Sequence, residues 1–163
     1  MIKKRLFIQA AALLVVGGGA APGVPVFAQT KPLVEVWKDP SCGCCGDWVS
    51  HMEASGFQVQ VHDTGNEPAR KRLGVPEAMG SCHTGLVAGY ALEGHVPARE
   101  VRRLLKERPR AIGLAVPGMP VGSPGMDGAI YNGRKDPYNV MLLLAGDKSR
   151  VYQSYPTQIS PKA

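Results

Sequence analysis

The chain has 163 residues, of which 44% are hydrophobic and 20% are charged, and its formal net charge is +6. This length supports one compact domain and leaves too little chain for two generously sized ones. Aromatic residues make up only 6% of the chain, and three of the positive charges lie within the first five residues, so the composition gives little support to a nucleic-acid-binding surface.

The N-terminus has the charge and hydrophobicity order of a secretion signal. Three basic residues precede an apolar run over residues 6–21, and Val26-Phe27-Ala28 places small residues where a signal peptidase cuts. We therefore predict a signal peptide over residues 1–28, a mature chain that begins at Gln29, and a location in the bacterial periplasm. A membrane anchor is the alternative, but the apolar run is short for a bilayer span, so we expect no membrane anchor after cleavage.

Apolar periodicity and turn residues predict strands and helices along the whole mature chain. In chain order, the predicted elements are a strand (33–37), a cysteine-containing loop, a helix from 48 that ends at Gly56, a strand (57–62), a short helix (66–73), two strands joined by a tight turn (85–90 and 91–96), a helix from Pro97 that ends before Pro109, a loop rich in proline and glycine (117–126) and a closing hairpin (138–144 and 151–155).

The order β-α-β-α-β-β-α, with cysteines between the first strand and the first helix, is typical of a thioredoxin-like fold. We predict a single α/β domain over residues 29–163. It has a mixed central sheet flanked by helices and a C-terminal loop and hairpin extension.

The four cysteines form the most informative pattern in the sequence. In an oxidising compartment, two disulfides with three possible pairings are the simplest expectation. Cys42, Cys44 and Cys45 are crowded for structural disulfides, because adjacent cysteines rarely reach disulfide geometry without strain. Cys42 and Cys45 have the C-x-x-C spacing that places two sulfurs at a helix N-terminus, where the helix dipole favours thiolates. Thiolates are both nucleophiles and soft metal ligands, so this motif alone leaves a redox enzyme and a metal site open.

Two further features favour a metal site. Cys44 adds a third sulfur that a disulfide exchanger does not need. Cys82 and His83 directly precede the third strand, where a thioredoxin-like protein carries the cis-proline loop that faces its cysteine pair. We therefore predict that four sulfurs and one imidazole converge. The predicted metal ligands are Cys42, Cys44, Cys45, Cys82 and His83.

The ligand set favours copper over zinc. Soft thiolates select monovalent copper or zinc, and zinc requires four separate ligands in a tetrahedron. Adjacent Cys44 and Cys45 can hardly both join one tetrahedron without strain, whereas Cu(I) accepts low coordination and shares bridging sulfurs. We predict a multinuclear Cu(I) thiolate cluster, with zinc as the less favoured metal. Met119 and Met126, in the loop over 117–126, are weaker candidates for a soft thioether contact.

The remaining histidines receive structural interpretations. We interpret His51, on the first predicted helix, and His62, at a strand end, as surface residues, and His95, at a turn, as a structural residue. The chain contains no Ser-His-Asp order, phosphate-binding loop or paired-carboxylate motif, so we assign no catalytic residue.

The export signal, the Cys42-Gly43-Cys44-Cys45 motif, the Cys82-His83 pair and the loop over 117–126 resemble the CopG family of copper-resistance proteins over nearly the whole mature chain. The resemblance implies a periplasmic, thioredoxin-like protein that binds copper and interconverts Cu(I) and Cu(II) in detoxification. Its partners would be copper ions and other periplasmic copper-handling proteins.

Three functions therefore stay open at this point. They are copper binding for resistance or handover, thiol-disulfide exchange, and a small structural zinc or disulfide domain. The extra Cys44 and the Cys82-His83 pair favour the first over the second.

Overall fold

A computed structural model of the protein describes residues 30–156, so the predicted signal peptide lies outside the described residues. The elements are β1 (Leu33–Lys38), α1 (Gly43–Ala54), β2 (Gln58–His62), α2 (Glu67–Arg72), β3 (His83–Val87), β4 (Tyr90–Glu93), α3 (Ala98–Glu107), β5 (Gly113–Ala115), β6 (Tyr138–Leu143) and β7 (Ser149–Tyr155), with short 3-10 turns at Glu77–Met79 and Ala129–Tyr131. Within this part of the chain, no helix is both long and apolar enough to span a bilayer.

All seven strands belong to one sheet in the order β2-β1-β3-β4-β5-β6-β7. β1 runs parallel to β2 and antiparallel to β3, β4 runs antiparallel to β3, and β5 runs parallel to β4. The β6–β7 hairpin extends the sheet at its far edge. The predicted α/β class, mixed sheet and C-terminal hairpin are confirmed.

The turn between β3 and β4 lies at Ala88-Gly89 rather than after Tyr90, and two further elements differ from the predictions. Helix α1 begins at Gly43 rather than at residue 48, because its buried stripe starts with Cys45 and continues through Trp48 and Met52 at helical spacing. Strand β5 was not predicted. It has only three residues, all buried, so it is too short to show the alternation that indicates a strand.

The main core lies on one face of the sheet. Side chains from alternate positions of β1, such as Val34 and Val36, pack with Trp48 of α1 and Leu104 of α3. A smaller cluster, which includes Val75, lies on the opposite face. Because α1 packs against this core, its N-terminal turn and the cysteines in that turn have a fixed position above the sheet.

His51 has a structural role that its interpretation as a surface residue missed. Its ring is half-buried, and its Nε2 accepts a hydrogen bond from the backbone N–H of Ala98, 3.1 Å away, at the start of α3. The residue before α3 is Pro97, which supplies no side-chain cap. His51 therefore satisfies a free N–H group at the end of another helix, as a capping side chain does.

We expect His51→Ala to lower the free energy of unfolding of the metal-free protein by about 1 kcal/mol at pH 7.5, the usual value of a helix cap. Burial lowers the pKa of His51 from its ordinary value of 6.5. As pH falls, His51 therefore takes up a proton in the unfolded chain before it does so in the folded protein. The wild type loses the contribution of His51 to the free energy of unfolding below about pH 6.5. Urea unfolding between pH 7.5 and 5.5 measures the difference between wild type and variant, which should shrink with acid. Ser50→Ala, at an exposed position of α1, is the control and should give a pH-independent difference.

Candidate metal centre

The sulfurs meet where the chain leaves β1 and enters β3. Cys42 directly precedes α1, and Cys44 and Cys45 lie in the first turn of that helix. β1 and β3 are antiparallel neighbours, and Lys38 at the end of β1 pairs with His83 at the start of β3. The loop that follows β1 and the loop that precedes β3 therefore lie at the same end of the sheet, which brings Cys82 to the start of α1.

The predicted convergence of the four sulfurs is present. The Sγ atoms of Cys42, Cys44, Cys45 and Cys82 all lie within 4.8 Å of one another. Cys44 Sγ is 3.7 Å from Cys42 Sγ and 4.0 Å from Cys82 Sγ. Cys44 Sγ is thus close to a sulfur of its own segment and to the sulfur from the distant segment, as a bridging ligand would be. Whether these sulfurs bind metal stays a prediction.

A disulfide joins Cys42 to Cys45, whereas Cys44 and Cys82 are free thiols. The crowding argument from the sequence did not anticipate this bond. The crowding argument applies to adjacent cysteines. Cys42 and Cys45 are three residues apart, and their Cα–Cα distance of 5.4 Å lies inside the range for disulfides. The four-thiolate set therefore requires reduction of the Cys42–Cys45 bond.

His95 lies in the site, although its position at a predicted turn led us to interpret it as a structural residue. It is fully buried, and its Nε2 is 3.1 Å from Cys82 Sγ. Its Nδ1 is 2.8 Å from the carbonyl oxygen of Pro124, which can only accept, so Nδ1 carries the proton and Nε2 presents its lone pair to Cys82. His95 is a candidate metal ligand that sequence reasoning missed.

His83 lies next to the cysteines, as predicted. Its Nδ1 is 3.4 Å from Cys82 Sγ, and its ring packs between Trp48, 4.4 Å away, and His95, 5.0 Å away. His83 is fully buried, and its Nε2 has no hydrogen-bond partner among the described residues. An unsatisfied buried nitrogen is costly, and such a site often has a function.

Burial holds Cys82, His83 and His95 neutral in the metal-free protein. It raises the pKa of the Cys82 thiol to about 12, and the charge of nearby Cys44 acts in the same direction. Burial also lowers the pKa of His95, and it lowers that of His83 to about 3, with His95 adding to the effect. The Cys82 thiol therefore stays protonated and donates a hydrogen bond to His95 Nε2. A metal ion at Cys82 must displace this proton, so metal affinity should decrease as pH falls.

Two groups of candidate metal ligands, the donor groups, share Cys82. One contains the four sulfurs, and the other contains Cys82, His83 and His95. A set of sulfurs suits Cu(I) or zinc, whereas one thiolate with two imidazoles is a combination that copper uses in both oxidation states. The arrangement can therefore hold a soft metal ion and has nitrogen donors beside it for a harder one.

The loop over residues 117–126 covers the start of α1. Gly125 has a φ of +84°, and a Cβ atom at this position would lie 2.7 Å from the carbonyl oxygen of Cys44. In the same loop, Met126 accepts a hydrogen bond from the Tyr131 hydroxyl through its Sδ, 3.3 Å away, and the side chain of Met119 is 53% exposed. A metal contact for either methionine stays a prediction.

We expect Gly125→Ala to lower the free energy of unfolding by about 3 kcal/mol, because a β-carbon is strained at this φ and collides with the backbone of α1. Gly128→Ala in the same segment is the control. Its φ is −64° and its added Cβ would meet only Ile130 at 3.8 Å, so the effect should stay within about 0.5 kcal/mol. Urea unfolding measures both, and equal effects would contradict the close packing of this loop on α1.

The fold and the site together define a class: a mixed α/β domain with a cysteine cluster that can hold a metal ion at the N-terminus of a helix. Comparisons with known proteins agree. Residues 79–126 match a family described as "Protein of unknown function, DUF411". None of the curated proteins matches the chain.

Two solved structures of copper resistance protein CopG resemble the whole domain. Form 2 is 45% identical, with a TM-score of 0.71, and form 1 is 47% identical, with a TM-score of 0.70. Each match covers 77% of this chain and 99% of the other chain. The chain belongs to the CopG family of copper resistance proteins.

Proposed function

We propose that the protein holds copper in the bacterial periplasm as part of copper resistance, with Cu(I) bound by cysteine thiolates in a cluster of more than one ion. The observation that supports this most strongly is the convergence of four sulfurs, from two distant parts of the chain, within 4.8 Å of one another. The periplasmic location rests on the predicted signal peptide over residues 1–28. Other periplasmic copper-handling proteins are the proposed partners for delivery or removal of the ion.

The adjacency of Cys44 and Cys45 in the sequence supports a cluster rather than a single ion. Cys44 is close to both Cys42 and Cys82, and its direct neighbour Cys45 is buried beneath the loop before β3, with its Sγ 3.6 Å from the Cys82 carbonyl oxygen. One tetrahedral ion needs four sulfurs that point at one centre, whereas sulfurs shared between ions tolerate such crowding.

The disulfide supports interconversion of Cu(I) and Cu(II). Closure of the Cys42–Cys45 bond from two thiolates releases two electrons, which reduce two Cu(II) ions to two Cu(I) ions. A dithiol reductant reverses the closure: it becomes a disulfide itself and returns Cys42 and Cys45 to the thiol state. The unbonded Cys82, with two imidazoles beside it, is available in both states of the disulfide.

A thiol-disulfide oxidoreductase is the second candidate, and the disulfide at the N-terminus of α1 favours it. Such an enzyme requires only Cys42 and Cys45. The copper function also requires Cys82, so variants of Cys82 separate the two candidates.

The reduced protein should take up more than one Cu(I) ion per chain, because two of its four thiolates are adjacent and are better used as bridges. Anaerobic titration against a chromophoric cuprous chelator gives the stoichiometry. The same protein with the Cys42–Cys45 disulfide intact is the control and should bind fewer ions. Saturation at one ion in the reduced protein would contradict the cluster.

Cys82→Ser should weaken Cu(I) binding as strongly as Cys42→Ser, although the two residues lie far apart in sequence. A hydroxyl is a hard, weakly acidic replacement, so the ion loses a thiolate. His95→Ala should weaken binding about 10- to 100-fold, because the imidazole either binds the ion or orients Cys82. Chelator competition with each reduced variant measures these affinities, and circular dichroism checks the fold.

The control for this series is His62→Ala. His62 lies on the edge strand β2, where its Nε2 is 3.2 Å from Glu35 and its ring stacks on Trp37, so copper affinity should not change. Wild-type affinity in a folded Cys82→Ser variant would confine the site to the cysteines around α1 and favour the oxidoreductase.

A further inference from the structure

A buried carboxylate lies directly behind the donor residues. Glu93, the last residue of β4, has no exposed surface. Its Oε1 accepts hydrogen bonds from the backbone N–H of Ser81 at 2.7 Å and from Arg70 Nε at 2.9 Å. Its Oε2 accepts a hydrogen bond from the Thr84 hydroxyl at 2.6 Å. The three bonds use both carboxylate oxygens.

These bonds hold the chain on both sides of Cys82. Ser81 precedes it, and Thr84 follows two residues later. Arg70 also donates to the carbonyl oxygen of Ser81, so one guanidinium connects the carboxylate to the loop. The side chain of Asn66 adds a bond of 3.2 Å to the same carbonyl and another of 3.2 Å to the Thr84 hydroxyl. The segment that carries Cys82 is thus fixed by side chains from α2 and β4.

Glu93 also lies two residues before His95, on the strand that brings the imidazole to Cys82. Glu93 pairs with Thr84 across the β3–β4 ladder, and Gly94 donates its N–H to the carbonyl oxygen of His83. His95 follows one residue later and faces Cys82. Glu93 therefore joins the two pieces of chain whose side chains form the contact between sulfur and imidazole.

Stability alone gives a weak reason for an ion pair here. Burying a charged pair costs desolvation that its attraction often only offsets, and apolar residues of similar volume are often as good. A network that is fully hydrogen-bonded does, however, restrict the positions of the groups that it joins.

We propose that Glu93, held by Arg70, is a positioning residue that fixes Cys82 Sγ against His95 Nε2. Neither Glu93 nor Arg70 contacts the metal in this proposal. The relevance of this contact to copper rests on the proposed function, whereas the positioning itself can be tested without metal.

The metal-free test uses the reactivity of the Cys82 thiol. In a Cys44→Ser background with the Cys42–Cys45 disulfide closed, Cys82 is the only free thiol in the chain. Glu93→Asp and Arg70→Lys keep the charges but shorten the carboxylate or replace the planar guanidinium, so they loosen the loop without a change of net charge. We expect alkylation of Cys82 by iodoacetamide to become about 10-fold faster in each variant, as the thiol leaves His95 and becomes more exposed.

Glu100→Asp is the matched control. Glu100 is also buried, at 3% exposure, and also has an arginine and a hydroxyl as partners, with Arg99 Nε at 2.6 Å and the Tyr155 hydroxyl at 2.9 Å. It lies on α3, outside the donor groups. Its variant should lose a comparable amount of thermal stability and leave the alkylation rate unchanged.

The copper test uses the full chain with all four cysteines reduced. Cu(I) affinity should fall about 10- to 100-fold in Glu93→Asp and Arg70→Lys, the range for groups that orient metal ligands, and should stay at the wild-type value in Glu100→Asp. Unchanged alkylation in both Glu93→Asp and Arg70→Lys would overturn the positioning role. Faster alkylation with unchanged copper affinity would support the positioning role and contradict the place of Cys82 in the proposed copper site.

Discussion

Strand β3 lies between β1 and β4, and both neighbours run antiparallel to it. This register decides which donor atoms meet. Pairing with β1 brings the start of β3 to the end of β1, where the chain leaves the sheet and enters α1 with its cysteines. Pairing with β4 brings the end of β4 back to the same place, so His95 arrives beside Cys82. A shift of β3 by one residue would turn Cys82 to the other face of the sheet and dismantle both donor groups.

The same register explains what the sequence could and could not predict. Alternation identified β1 and β2, and the C-x-x-C spacing placed the cysteines at the start of a helix. The turn between β3 and β4 was predicted two residues too late. It lies at Ala88-Gly89, and Ala88 has a φ of +47°, which alanine rarely adopts, so the dipeptide carries no strong turn signal. With the turn at its true position, the pairing of Thr84 with Glu93, continued by two residues, puts Cys82 opposite His95.

Other features lie beyond local sequence patterns. β5 is a strand because its neighbours β4 and β6 pair with it, not because its three residues alternate. His51 caps α3 across a contact that joins residues 47 positions apart. Which sulfurs lie close together depends on the fold as well as on sequence spacing: Cys44 Sγ is 3.7 Å from Cys42 Sγ and 4.0 Å from Cys82 Sγ, although only Cys42 is its near neighbour in sequence.

Cys82 and His95 lie beside the cysteines of α1 only in the folded chain, because the pairing of β3 with β1 and β4 places them there. An unfolded chain would keep the short Cys42–Cys45 segment and lose these two donors. A metal ion that uses the complete set therefore binds the native state more tightly than the unfolded chain, and by mass action it shifts the folding equilibrium toward the native state. Copper bound there would protect the chain from proteolysis in proportion to its free concentration, so the lifetime of the protein would itself respond to the metal.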